Sequence, residues 1–170
     1  MGGALVLLAL FLGYSSTLVN LVTVYKKEAY ESGLLVPGII TSLSPLQIMS
    51  FGELRNSLDV PPLYGVRKFN VNSLPNQQLN MGEKVPCVAL FLGKNKSSYW
   101  EDFRPRPVCW GFEDPAAVSG AVQALSEQNE ATPDEPGNWE TLQLIVQKHA
   151  DIAVDTMVII DSNLTIVQQH

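Results

Sequence analysis

The sequence is poor in the residue types from which disulfide scaffolds and metal sites are built, with two cysteines and two histidines in 170 residues. Cys87 and Cys109 are too few for a disulfide framework and lack the spacing of zinc ligands. His149 has no Glu or Cys nearby at ligand spacing. The sequence therefore predicts no metal site. It leaves Cys87 and Cys109 as a candidate redox pair, the alternative being two small buried hydrophobes.

Basic charge is also scarce, because 11 Lys and Arg face 17 Asp and Glu, for a net charge of −6. A chain without a basic patch is a poor nucleic-acid binder, so no nucleic-acid partner is expected. Glycine-rich phosphate loops, nucleophile elbows and recognisable carboxylate pairs do not occur in the sequence. These observations predict a protein without catalytic residues and without a cofactor motif.

The most conspicuous feature present is an apolar run from Ala4 to Tyr25, 22 residues without a charge. As a helix it would be roughly 33 Å long, against about 30 Å for the hydrocarbon core of a bilayer. No basic residue precedes the run, which is atypical of a signal peptide. The run predicts a retained transmembrane helix over 1–27. Lys26 and Lys27 then favour the stromal or matrix side for the remainder.

Small and polar residues of this run recur every three or four positions, which places them on one helix face. Such a face favours packing against another membrane subunit, although a single span can also tolerate it. The residues predicted to pack on a partner are Gly13, Ser16, Thr17, Asn20 and Thr23. The candidates to contact lipid, chlorophyll or carotenoid are Leu8, Phe11, Leu12, Tyr14 and Leu18.

Residues 28–84 are interrupted by many prolines and glycines, and we expect one amphipathic helix and an extended arm there. Ser44 is placed as an N-cap with Pro45 at the first helical position. The apolar side of that helix would consist of Ile48, Phe51, Leu54 and Leu58. It would lie on a membrane or a neighbouring subunit, or cover the core of this protein. Residues 60–84 then read as the arm.

Residues 85–170 alternate between strand and helix signals and predict a small α/β or α+β domain, a sheet with helices packed on it. Strands are expected in "VPCVALFLG" and "PVCWGF", and helices from Pro115, capped by Asp114, and from Trp139. A hairpin is expected around Asp161.

A resemblance that covers about residues 79–168 rests on two segments: "LQLIVQKHADIAVDTMVIIDSNLTIVQQ" and "LNMGEKVPCVALFLG". They resemble the closing helix and hairpin, and the first core strand, of the thioredoxin and peroxiredoxin superfamily. The resemblance implies a thioredoxin-like topology. The redox cysteine of that family would follow the first strand, where this sequence has Lys94 to Ser97. The resemblance therefore implies a degenerate member without dithiol activity.

Together these features predict a non-catalytic, single-span accessory subunit that braces a large energy-converting membrane complex. Its partners would be other membrane subunits and the lipid bilayer. We expect a photosystem with its light-harvesting antenna in the thylakoid membrane. One alternative is a supernumerary subunit of a respiratory complex in the mitochondrial inner membrane. Another is a membrane-tethered thioredoxin-like redox protein or assembly factor that uses Cys87 and Cys109.

Overall fold

The structure is a computed structural model that describes residues 30, 33–93, 98–112, 114–128 and 138–169. The described residues form eight strands, a short 3₁₀-helix and two α-helices. The strands are β1 (Leu34–Val36), β2 (Gly38–Leu43), β3 (Leu46–Glu53), β4 (Tyr64–Asn70), β5 (Cys87–Leu92), β6 (Asp102–Pro107), β7 (Met157–Ile160) and β8 (Ile166–Gln169). The helices are the 3₁₀-helix Val108–Trp110, α1 (Pro115–Glu127) and α2 (Asn138–Lys148).

The strands form two sheets in which every paired neighbour is antiparallel. Sheet A has the order β1-β5-β6, and sheet B has the order β2-β3-β4-β7-β8. The chain passes from sheet A to sheet B at Pro37, between β1 and β2. Helix α2 packs on sheet B, and α1 lies against the 3₁₀-helix and β1. Sheet B is therefore the middle layer of the molecule.

Strands β2, β3, β4 and β7 of sheet B contribute side chains to two separate hydrophobic clusters, one on each face of the sheet. In β7, Met157 and Ile159 point to the cluster shared with sheet A, whereas Val158 and Ile160 point to the cluster shared with α2. The period-2 alternation of a strand sends successive side chains to opposite faces. Because both faces are buried here, all four residues of β7 are apolar and buried.

The amphipathic helix expected from Ser44 to Leu58 is wrong, because this segment forms a turn and strand β3. Ser44 and Pro45 belong to the turn between β2 and β3, where their peptide bond is cis. Ile48 and Leu54 contribute to the cluster under sheet A, and Phe51 to the cluster under α2. A strand that is buried on both faces has apolar residues at consecutive positions, and some of these positions coincide with the spacing of an amphipathic helix.

The segment interpreted as an extended arm, residues 60–84, contains the central strand β4 of sheet B. Strand β4 pairs with β3 along its whole length and with β7 at Tyr64 to Arg67. Strand β1 likewise pairs with β5. The pairs β1–β5 and β4–β7 therefore join residues on the two sides of the boundary expected after residue 84.

Several expectations for the C-terminal half are confirmed. The first strand there is β5, the closing hairpin is β7–β8, and both helices form. Asp114 caps α1 by accepting a hydrogen bond from the backbone N–H of Ala116 at 2.9 Å. The expected strand "PVCWGF" is wrong, since Val108 to Trp110 form the 3₁₀-helix and the strand β6 precedes it.

The expected fold class, an α/β or α+β domain with thioredoxin-like topology, is wrong. Most of the regular secondary structure in the described residues is strand, in two antiparallel sheets. The predicted span, residues 4–25, lies outside the described residues. In the part of the chain that the structure describes, no helix is long and apolar enough to cross a bilayer. The expected localisation as a single-span protein, in the thylakoid or else the mitochondrial inner membrane, is therefore contradicted by the helices that the structure describes.

Candidate protein-binding site

The two edges of sheet B differ in whether another described segment forms backbone hydrogen bonds with them. At the β2 edge, residues 82–85 run alongside the strand: the N–H of Ile40 donates to the carbonyl of Glu83 at 3.1 Å, and that of Val85 donates to the carbonyl of Gly38 at 2.7 Å. Ile39 also pairs with Lys84. These bonds engage the outer backbone groups of the first half of β2, Gly38 to Ile40, so a further strand cannot pair there.

Strand β8 forms the opposite edge of sheet B, and no strand among the described residues pairs with its outer side. All four of its residues, Ile-Val-Gln-Gln, are exposed, with Ile166 at 45% and Val167 at 53%. Natural edge strands are usually blunted by shortness, lysine, proline or inward-pointing charges; β8 is short, with four residues, but it has no lysine, proline or charge. The strand therefore presents an uncharged, partly apolar edge to solvent.

The turn that precedes β8 is held rigidly by local hydrogen bonds. The side-chain oxygen Oδ1 of Asp161 accepts from the backbone N–H groups of Asn163 at 2.9 Å and Thr165 at 2.8 Å. The turn continues at Leu164, a non-glycine residue with a φ of 56°. An aspartate that accepts from the amide two residues later is the usual device of such tight turns.

The end of α2 clamps the same turn from outside the hairpin. Lys148 Nζ donates to the carbonyl of Asn163 at 3.0 Å, and His149 Nε2 lies 2.8 Å from the carbonyl of Leu164. Because a carbonyl can only accept, this nitrogen of His149 carries the proton. His149 is buried, and this contact gives it a structural role. The open edge β8 is thus fixed in position by α2.

A cavity of about 220 Å³ lies beside β8, on the face of sheet B that looks toward sheet A. Gln168 of β8 and Ile159 of β7 form one side. The remaining lining residues are Leu54, Leu63, Tyr99, Trp100 and Glu101. The volume is below the range of about 300–1,000 Å³ that is usual for small-molecule sites. It is of the size that one large side chain occupies.

The aromatic wall of this cavity is tied to the end of β3. The backbone N–H of Trp100 donates to the carbonyl of Leu54 at 2.8 Å, and Tyr99 Oη donates to the carbonyl of Pro61 at 2.8 Å. The ring of Trp100 also packs at 6.4 Å, centroid to centroid, from that of Phe91. The wall is therefore preformed.

A second recess, a groove of about 450 Å³, lies on the other side of the hairpin, between the turn and α2. Its apolar lining comes from Pro62, Tyr64, Leu144 and Leu164, and Leu144 is 46% exposed. Apolar recesses thus border the hairpin on both faces of sheet B. Sequence reasoning predicted the hairpin but missed this site. The signal available for it was a closing strand without a single charged residue.

The two cysteines proposed as a redox pair are both free and buried. Burial raises the pKa of both thiols, and for Cys87 the neighbouring Cys109 raises it further. A raised pKa keeps the thiol protonated at neutral pH, and the protonated form is a poor nucleophile. Their surroundings are those of structural thiols in the cluster between the sheets.

We expect neither Cys87 nor Cys109 in the folded protein to react appreciably with a thiol-specific disulfide reagent at pH 7, because both are buried and protonated. Both should react fully once the protein is unfolded in urea. The release of the coloured thiolate measures this. Rapid modification of one thiol in the folded state would contradict the prediction and support the hypothesis that Cys87 and Cys109 form a redox pair.

The remaining site residues predicted from the sequence belong to the apolar run near the start of the chain. The partner-packing and pigment or lipid candidates between Leu8 and Thr23 lie outside the described residues. Among the residues that the structure describes, no three His, Cys, Asp or Glu side chains are grouped so that they could hold a metal ion.

Comparison with known proteins identifies the family and supports the fold. The fold is similar to that of a solved structure titled "Crystal structure of a putative membrane protein from Corynebacterium diphtheriae", with a TM-score of 0.57 and 18% sequence identity. The alignment covers 75% of this chain and 99% of that one. No curated protein matches the sequence, and none of these findings supports a photosystem or respiratory subunit. A family profile described as "Protein of unknown function (DUF3239)" matches residues 23–143, more than half of the chain, and the chain belongs to this family.

Proposed function

We propose that the domain is a non-catalytic protein-binding module that takes up an extended segment of a partner protein as an added strand on β8. The observation that carries this proposal is the uncharged outer edge of β8, with which no other described strand pairs, in a sheet whose opposite edge is flanked by residues 82–85. In this mode of recognition, backbone hydrogen bonds provide affinity and side-chain pockets provide specificity.

The hydrogen bonds that hold the β7–β8 hairpin in place favour the binding of a partner strand at this edge. The turn is held by Asp161, and it is clamped to α2 through Lys148 and His149. A preorganised edge loses little conformational freedom when a partner strand docks, so more of the interaction energy remains as affinity. A frayed edge strand would have to be ordered first.

Selection from a phage-displayed library of random twelve-residue peptides tests the proposal. We expect selected peptides to alternate apolar and polar residues, as an edge strand does. Bound peptides should slow amide hydrogen exchange at Ile166 to Gln169. The variant Val167→Lys, which places a charge on the edge, should weaken binding about tenfold or more, equivalent to at least about 1.4 kcal/mol.

The matched control is Leu79→Lys, which makes a similar apolar-to-lysine change at an exposed residue (51%) just before the segment that covers β2. It should leave binding unchanged. The proposal fails if selected peptides protect another surface, if no peptide protects β8, or if both lysine variants weaken binding equally.

A further inference from the structure

We infer that the partner segment carries one large apolar side chain that fills the 220 Å³ cavity beside β8, with a basic residue next to it that pairs with Glu101. This inference rests on the proposed function, because it assumes that the segment docks on β8. It adds the chemistry of the partner. The docked segment is extended, has an aliphatic or aromatic residue at its centre, carries lysine or arginine beside that residue and has no acidic residues.

Strand geometry directs the side chain to the cavity. In an antiparallel pair, residues directly opposite each other point to the same face, with their Cβ atoms about 4.5–5.5 Å apart. Gln168 points to the sheet A side, since it pairs with Ile159, and both residues line the cavity. The residue of an added strand opposite Gln168 therefore points toward the same space.

The cavity is suited to an apolar side chain. Leu54 and Ile159, which are 0% and 8% exposed, line it together with Leu63 and the rings of Tyr99 and Trp100. Burying one leucine or phenylalanine side chain contributes about 1.5–3 kcal/mol, enough to dominate the selectivity of a short segment.

Electrostatics favours a basic residue in the partner next to its large apolar side chain. Glu101 is the one charged side chain that lines the cavity, and it is exposed, lying against Gly93. The chain as a whole has a net charge of −6. Complementary charges raise the association rate and exclude partners of the same sign. A lysine or arginine in the partner is therefore favoured over an acidic residue.

Synthetic peptides test the inference directly. The probe is a fluorescein-labelled ten-residue peptide that alternates threonine and valine, has leucine at its centre and is flanked by lysines. Companion peptides carry alanine or tryptophan at the centre, or glutamates in place of the lysines. Fluorescence anisotropy gives each Kd. We expect the leucine peptide to bind at least tenfold more tightly than the alanine peptide, and lysine flanks to be favoured over glutamate flanks.

Changes in cavity size provide the sharpest test. Leu63→Trp fills the cavity and should abolish the preference for leucine over alanine at the peptide centre. Leu63→Ala enlarges it and should shift the preference to tryptophan. Glu101→Lys should reverse the preference for lysine flanks. Circular dichroism confirms that each variant is folded, and a merely destabilised protein would not exchange one preference for another.

The outcomes separate the two proposals. Peptides that protect β8 from hydrogen exchange, but bind equally well whatever their central residue and whatever residue 63 is, would overturn this inference and leave strand addition intact. Failure of every peptide to protect β8 would overturn the proposed function itself. Sedimentation of the protein as a dimer that Val167→Lys dissociates would identify a second copy as the occupant and contradict a basic partner segment.

Discussion

Replacing Phe103 with alanine is expected to lower the free energy of unfolding by about 3–5 kcal/mol, which is the usual range for removing a fully buried aromatic ring. Phe103 lies on β6 and is 0% exposed. Its ring is 5.4 Å, centroid to centroid, from that of Phe91. It covers Gly52 and Gly65, which are directly opposite each other in the β3–β4 pair. A Cβ atom on Gly52 would lie 2.8 Å from the ring, and neither glycine has a side chain that could fill the hole left by the ring.

Urea denaturation monitored by circular dichroism measures this loss, and Phe112→Ala is the matched control. The same atoms are deleted there from a residue that is 43% exposed and contacts Tyr30 edge-on at 5.9 Å, centroid to centroid. We expect about 1 kcal/mol for the control. Equal losses at the two positions would contradict the placement of Phe103 as the main filler between the sheets.

Gly38→Ala is expected to destabilise the protein by about 1–3 kcal/mol, although it adds only a methyl group. An added Cβ would lie 2.7 Å from the carbonyl oxygen of Val85, 3.0 Å from Sγ of Cys87 and 3.1 Å from Ile48. The nearest of these atoms belongs to the backbone and cannot turn away. The methyl group would therefore push residues 82–85 away from β2.

The control for this prediction is Gly120→Ala in α1, where an added Cβ would meet nothing within 4 Å. Because alanine is a better helix former than glycine, this variant should gain up to about 1 kcal/mol. Thermal unfolding of the two variants compares them directly. If Gly38→Ala stabilised the protein as Gly120→Ala does, the close approach of residues 82–85 to β2 would be wrong.

The elements that the sequence predicted well are those with local signals. The cap of Asp114 on α1 and the turn at Asp161 each depend on a side chain and a backbone amide only a few residues apart. Strand β5 is a continuous apolar run, as expected of a strand that is the centre of its sheet. Such features depend on local interactions and little on how distant segments of the chain fold.

The errors arose where burial depends on distant segments. Strand β3 is buried on both faces, so it shows no alternation, and Ser44 with Pro45 signals a turn as well as it signals a helix start. Strand β4 carries Arg67 and Lys68 and follows several prolines, which concealed its central place in sheet B.

Strand β6 shows a third kind of error. It contains Pro105 and Pro107, which a strand tolerates at the edge of a sheet, and β6 is the edge of sheet A. The candidate site could not be predicted for the same reason, because an open edge is a property of strand order, which no local pattern encodes.

The order of strands in sheet B also determines which edge is open while the ribosome is still synthesising the chain. Strands β2, β3 and β4 follow one another and can pair early, but β4 ends at Asn70 and its outer neighbour β7 begins only at Met157. Until β7 has emerged, the outer side of β4 lacks its partner strand, and pairing between such distant segments is slow. When the hairpin β7–β8 forms, β7 pairs with β4, and β8 becomes the edge strand of sheet B. During synthesis the outer side of β4 is therefore an unpaired edge at which another chain can add, whereas in the finished molecule β7 occupies it.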